Sequence, residues 1–175
     1  ELTVNYQLTA DNELLINYTA TTDKNTILNP THHSYFNLNG DPNKTILEHE
    51  LMIDADKYTP VDKGLITTGE MSDVANTPFD FRTPKAIGKD INADNEQLKF
   101  GMGYDHNWAL NKHQERISKC ASVYEPNSGR FMEIFTDQPG VQFYSGNFLD
   151  GKSKGKKGIM YQYRTGFCME AQKFP

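Results

Sequence analysis

Cysteine is scarce in this sequence: Cys120 and Cys168 are the only two in 175 residues. That excludes a disulfide framework and a four-cysteine zinc site, and leaves room for at most one bridge. Free thiols in a reducing, cytoplasmic compartment are the simpler expectation. No apolar run approaches the ~18 to 20 residues that a bilayer span requires, and the first residues lack the charged-then-apolar order of a signal peptide. No membrane partner is therefore expected. Positive charge is not in excess either. The formal net charge is -5 with a pI near 5.5, and without a long basic face nucleic acid is not an expected partner. Helical periodicity is nearly absent. Its best candidate, between Lys85 and Leu98, is weakened by Gly88 and two asparagines, so a turn or two is the expectation there.

Metal-ligand spacing is also lacking. His32, His33, His49, His106 and His113 form no HxH or HExxH pattern. Adjacent residues on a strand point to opposite faces, so His32 and His33 would not naturally share an ion. No metal and no cofactor are expected.

What the chain does have is alternation of period two, the mark of half-buried strands. Leu2, Val4, Tyr6 and Leu8 share a face, Asp11-Asn12-Glu13 turns, and Leu14, Ile16 and Tyr18 return, which predicts a hairpin. Leu47, His49, Leu51 and Ile53 alternate with Glu48, Glu50 and Asp54 on the other side. Cys120 to Tyr124 and Phe131 to Thr136 form a further pair, joined through Pro126-Asn127-Ser128-Gly129. Val141 to Tyr144 and Gly166 to Glu170 are short strands. With 37% hydrophobic and 11% aromatic residues, the chain can bury one sizeable core, so residues 1–175 are expected to form a single all-β unit. Long polar loops fall at about 55 to 83, 86 to 103 and 150 to 160, and loops of that length usually carry function or are disordered. The Lys/Gly-rich stretch 151–158 lacks P-loop spacing and reads as a solvated loop.

Three polar clusters stand out. Asn29-Pro30-Thr31-His32-His33-Ser34-Tyr35-Phe36-Asn37-Leu38 offers a titratable imidazole, either an acid or base catalyst or a structural histidine. Asp105-His106-Asn107-Trp108 offers acceptors, an amide and a flat ring that suit a sugar, or equally a polar turn with a buried Trp. Glu170 interrupts an apolar strand and must be ion-paired or kept partly neutral, because an isolated buried charge is costly.

Taken together, five stretches resemble the aldose 1-epimerase (galactose mutarotase) family: NPTHHSYFNL at 29–38, TPFDFR at 77–82, GYDHNW at 103–108, TDQPGVQFYSGNFL at 136–149 and GFCMEAQKFP at 166–175. They occur in the family's order and span nearly the whole chain. The resemblance implies a galactose mutarotase-like β-supersandwich of which residues 1–175 are a portion, and interconversion of the α and β anomers of a free aldohexose. It further implies Glu170 as the base on the anomeric hydroxyl, His33 as the acid at the ring oxygen, and Asp105 and Gln142 as groups that bind sugar hydroxyls. His32 receives no catalytic role. Trp108 is a softer carry-over as an aromatic wall. The alternatives are a non-catalytic carbohydrate-binding β-sandwich and a hexose-6-phosphate 1-epimerase, the latter disfavoured because Arg82, Arg116, Arg130 and Arg164 are scattered rather than clustered for a phosphate.

Overall fold

The computed structural model describes residues 1–111 and 116–175, so His113, one of the histidines weighed as a metal ligand, lies outside the described residues. The described residues form strands β1 (Leu2–Leu8), β2 (Leu14–Ala20), β3 (Glu50–Ile53), β4 (Lys57–Thr59), β5 (Ser72–Asp73), β6 (Lys85–Ala86), β7 (Asp105–Ala109), β8 (Ser118–Glu125), β9 (Arg130–Thr136), β10 (Gly140–Tyr144) and β11 (Cys168–Gln172), with one α-helix, α1 (Glu96–Gly101), and a single 3-10 turn at Lys156–Gly158. The expected all-β architecture is the observed one. Among the described residues no helix is long and apolar enough to cross a membrane.

The chain divides into two compact units, residues 1–32 and 33–175. In the first, β1 and β2 pair as an antiparallel hairpin in which Val4 opposes Tyr18 and Tyr6 opposes Ile16. The two apolar rows read from the sequence therefore meet across the strands, although Leu2, Val4, Tyr6 and Leu8 are all exposed.

The second unit holds two sheets. One runs β11-β10-β7-β4-β5 and the other β6-β3-β8-β9. Alternation decides their faces: in the first sheet Met169, Val141, Phe143, His106, Trp108 and Tyr58 are buried on one side, while in the second Leu51 and Ile53 oppose Val123 and Ala121. The apolar members of both rows belong to a single core cluster, which also takes in Phe79 and Phe81 of TPFDFR. Tyr58 stacks on Phe79 with ring centroids 4.3 Å apart, and Trp108 Nε1 donates to the Phe79 carbonyl at 3.0 Å. Rings packed this way add specific geometry to area burial.

Two expectations change. The short helix expected between Lys85 and Leu98 forms only at the end of that stretch, as Glu96–Gly101, and runs three residues past it. Asn95 Oδ1 accepts from the amides of Gln97 and Leu98 and sets the start of α1, as an N-cap should. The start of the stretch, Lys85–Ala86, pairs with β3 instead; Ile87 N donates to the His49 carbonyl and Gly88 N to that of Leu47, and turns follow up to Asn92. The supposed loops 55 to 83 and 86 to 103 contribute β4, β5, β6 and α1, because short segments with sparse alternation become strands once a neighbouring edge is available. Phe143→Ala is expected to lower stability by about 3 to 5 kcal/mol in urea unfolding monitored by circular dichroism, since it empties a fully buried ring site.

Candidate active site

The face of the five-stranded sheet opposite the core carries the polar side chains. Antiparallel register pairs Glu170 with Gln142 and Gln142 with Asn107 in one row, and Cys168 with Tyr144 and Tyr144 with Asp105 in the next. Residues in register on adjacent strands project to one face. Gln142 Nε2 donates to Asp105 Oδ1 at 2.9 Å across these rows.

Asp105 is held by the start of β7. Gly103 has φ +136, and a Cβ there would meet Asn147 Oδ1 at 2.4 Å, so only glycine fits. The Asn147 amide donates to the carbonyls of Gly101 and Tyr104, and Tyr104 N donates to Ser145 Oγ. This buried polar lattice fixes where the strand begins and hence the direction of Asp105.

His33 reaches the same face by a different route. Phe36 and Phe167 exchange two backbone hydrogen bonds, 2.8 and 2.9 Å long, in an isolated antiparallel bridge. The Asn37 amide donates to the carbonyls of Lys44 and Thr165, and Leu38 N donates to Nε2 of the buried His49 at 2.9 Å. The histidine segment is thus stitched to the strand entering β11. His33 Nε2 stands 3.5 Å from Glu170 Oε1, with the imidazole half exposed and the carboxylate largely covered. The His33 ring stacks on Tyr35 at 5.3 Å and meets Tyr144 edge-on at 6.4 Å.

All four site residues expected from the sequence, His33, Glu170, Asp105 and Gln142, therefore converge on one face. His33 and Glu170 stand side by side; at 3.5 Å no sugar ring lies between them, and a ligand must approach both from the same open side. Trp108 does not belong to the site. It is fully buried in the core, because it lies an odd number of positions from Asp105 and so faces the other way. His106 shares that fate; burial lowers its pKa to about 4 and leaves it neutral.

Three residues around the site went unassigned in the sequence: Cys168, Tyr144 and Tyr35. Each lies two positions from one that was assigned, and Asn107 stands in the same relation to Asp105. Period two along β11, β10 and β7 was the signal that could have found Cys168, Tyr144 and Asn107. Asn107 is almost completely buried and its Nδ2 has no hydrogen-bond partner.

The electrostatics follow from burial and crowding of acids. Burial raises the Glu170 pKa, the imidazole of His33 opposes that rise, and Asp105 adds to it. Asp105 is raised too, chiefly by burial, against the lowering effect of the Gln142 hydrogen bond and of His33. Burial pushes Tyr144 up to about 12 and the Cys168 thiol well above its usual range. A carboxylate tuned upward beside an imidazole has the composition and spacing that proton transfer requires. Among the described residues, His33, Cys168 and Glu170 also form a group of potential metal ligands.

The family described as Aldose 1-epimerase matches residues 1–175. Galactose mutarotase of Homo sapiens is 48% identical over 145 residues, covering 83% of this chain and 41% of the relative. Aldose 1-epimerase of Escherichia coli (strain K12) is 40% identical over 174 residues, covering 99% of this chain and 49% of the relative. Among solved structures, the GalM/aldose epimerase homologue from C. elegans superposes with a TM-score of 0.84 at 33% identity, over 97% of this chain and 49% of that one. Galactose 1-epimerase from Lactobacillus acidophilus NCFM gives 0.80 at 30% identity, over 99% and 48%. The expected galactose mutarotase-like fold is thereby found, and the chain spans about half the length of the relatives it matches.

The raised carboxyl can be tested directly. Carboxylate-resolved NMR titration is expected to place Glu170 above the ordinary glutamate value of about 4.3. Asp105→Asn should move it down, because a repelling negative charge is removed. With the folded pKa above the unfolded one, stability falls as the pH rises from the ordinary value through the raised one, where folding buries a charge. Glu170→Gln should flatten that fall, and an unshifted Glu170 would contradict the electrostatics described here.

Proposed function

The chain belongs to the aldose 1-epimerase family, and on that premise we propose that it carries the acid/base centre of a mutarotase acting on free aldohexoses of the galactose and glucose type. The observation that carries this reading is the contact of His33 Nε2 with Glu170 Oε1 at 3.5 Å, on a sheet face that also presents Asp105 and Gln142.

Opening a pyranose requires the anomeric hydroxyl to lose a proton while the ring oxygen gains one. Both oxygens are borne on C1. An acid and a base that stand side by side therefore suit them better than groups separated by a ring's width. In the proposed mechanism Glu170 takes the proton of the C1 hydroxyl and protonated His33 delivers one to the ring oxygen. The C1 to ring-oxygen bond breaks and the open-chain aldehyde forms. Rotation about C1–C2 presents the other face, the ring oxygen attacks, and the two groups exchange roles. The raised pKa of Glu170 makes its carboxylate a stronger base than a solvated one, which favours transfer from a hydroxyl. Asp105 and Gln142, already joined by a hydrogen bond, would hold neighbouring sugar hydroxyls and fix C1 against the pair.

A pure binding module has no use for a buried carboxylate beside an imidazole, whose burial costs stability. A sugar-phosphate reading finds no support in three of the four arginines: Arg82 is bound to Asp80 and Asp56, Arg130 to the carbonyls of Leu38 and Asn39, and Arg164 to Asn92 and the Met102 carbonyl.

Polarimetry of freshly dissolved α-D-galactose with the full natural chain is expected to show mutarotation faster than buffer. Glu170→Gln and His33→Asn should each reduce kcat by roughly 10²- to 10⁴-fold, the usual contribution of a positioned acid or base. Gln142→Ala should act mainly through KM. Undiminished turnover in Glu170→Gln would remove it as the base.

A further inference from the structure

Cys168 lies beside the proton-transfer pair and has no part in the chemistry proposed above. It is fully buried on β11, two positions before Glu170, and therefore on the same face. One ligand atom each from His33, Cys168 and Glu170 lie within 4.8 Å of one another. Two ligands bound to a tetrahedral zinc at about 2.0 to 2.2 Å stand roughly 3.4 Å apart, and His33 Nε2 and Glu170 Oε1 are already 3.5 Å apart. Little rearrangement is needed: the imidazole is half exposed and can pivot to bring the third donor into range.

We propose that His33, Cys168 and Glu170 form a binding site for a soft or borderline divalent cation of the zinc class, and that such a cation switches off the acid/base pair by occupying both members' lone pairs. The donor set selects the metal. Imidazole, thiolate and carboxylate together suit zinc or cadmium, whereas magnesium and calcium require oxygen ligands throughout. Three protein ligands leave a fourth position that water fills, so the bound cation and its water occupy the place of the sugar's C1 hydroxyl. Burial chiefly, and then the negative charge of Glu170 and Asp105, hold the thiol protonated when no cation is present, and those same carboxylates attract a cation to the site. Binding displaces the thiol proton into solvent and forms a metal-to-sulfur bond, so affinity rises with pH.

The site stands on geometry alone, and the inhibition rests in addition on the roles proposed for His33 and Glu170. Cadmium titrated into the metal-free full natural chain is expected to raise a sulfur-to-cadmium charge-transfer band that saturates at one equivalent. Cys168→Ser should abolish the band and Cys120→Ser should keep it. His33→Gln, a change at a half-exposed position, should weaken apparent zinc affinity at least ~10-fold, as loss of a ligand costs no less than loss of an outer-shell partner. In polarimetry, zinc should raise the apparent KM for the sugar, with full recovery on chelation. No band, a band that survives in Cys168→Ser, or zinc inhibition that leaves KM unchanged would overturn the proposal. A saturable band in a protein that does not accelerate mutarotation would sink the proposed function and leave the cation site standing.

Discussion

The register of β11, β10 and β7 is the constraint on which the site depends. Because Glu170, Gln142 and Asn107 lie in one row, and Cys168, Tyr144 and Asp105 in the next, a single choice of pairing assembles every strand-borne polar group of the site. The same choice sends Met169, Val141, Phe143, His106 and Trp108 into the core. A slip of one residue would exchange the two sets, placing Glu170 and Asp105 among aromatic rings and exposing Trp108 and Phe143. Burial of those rings thus enforces the arrangement of the polar groups on the reverse side.

His33 enters this frame through backbone rather than side-chain recognition. The Phe36–Phe167 bridge and the amide of Asn37 tie its segment to the approach of β11, so the imidazole stands over Glu170 while keeping half its surface free. That asymmetry has a chemical use. The carboxylate is desolvated and raised in pKa, whereas the imidazole retains the freedom to move as a ligand enters. The same approach brings Cys168 close to both groups, one potential ligand atom of each lying within 4.8 Å of the others, which is why the proposed proton-transfer pair and the proposed cation site overlap.

Much of this was legible in the chain. The hairpin of β1 and β2, the β8–β9 pair, and β10 and β11 follow from alternation and turn residues, because adjacent strands read out local pattern. The weaker strands β4, β5 and β6 were hidden in or beside polar loops, and α1 took up only the end of the stretch with helical pattern, since partners distant in sequence decide whether such short segments pair. Trp108 shows the same limit from the other side. Beside Asp105 in GYDHNW it reads as part of a sugar site, yet strand geometry turns it into the core. Cys168 and Tyr144 could have been found by stepping two residues from Glu170 and Gln142, had those segments been treated as strands first and motifs second.

By itself, the sequence determined the all-β class and the identity of His33, Glu170, Asp105 and Gln142 as candidate groups, because these rest on periodicity and on residue types in an ordered set of motifs. Only the tertiary structure decided how far apart His33 and Glu170 stand, which side of β7 faces the core, and that His33 is brought to the Cys168 thiol. Those depend on contacts between segments distant in sequence, set by sheet register and by one backbone bridge; local alternation says which residues share a face but not which segments meet.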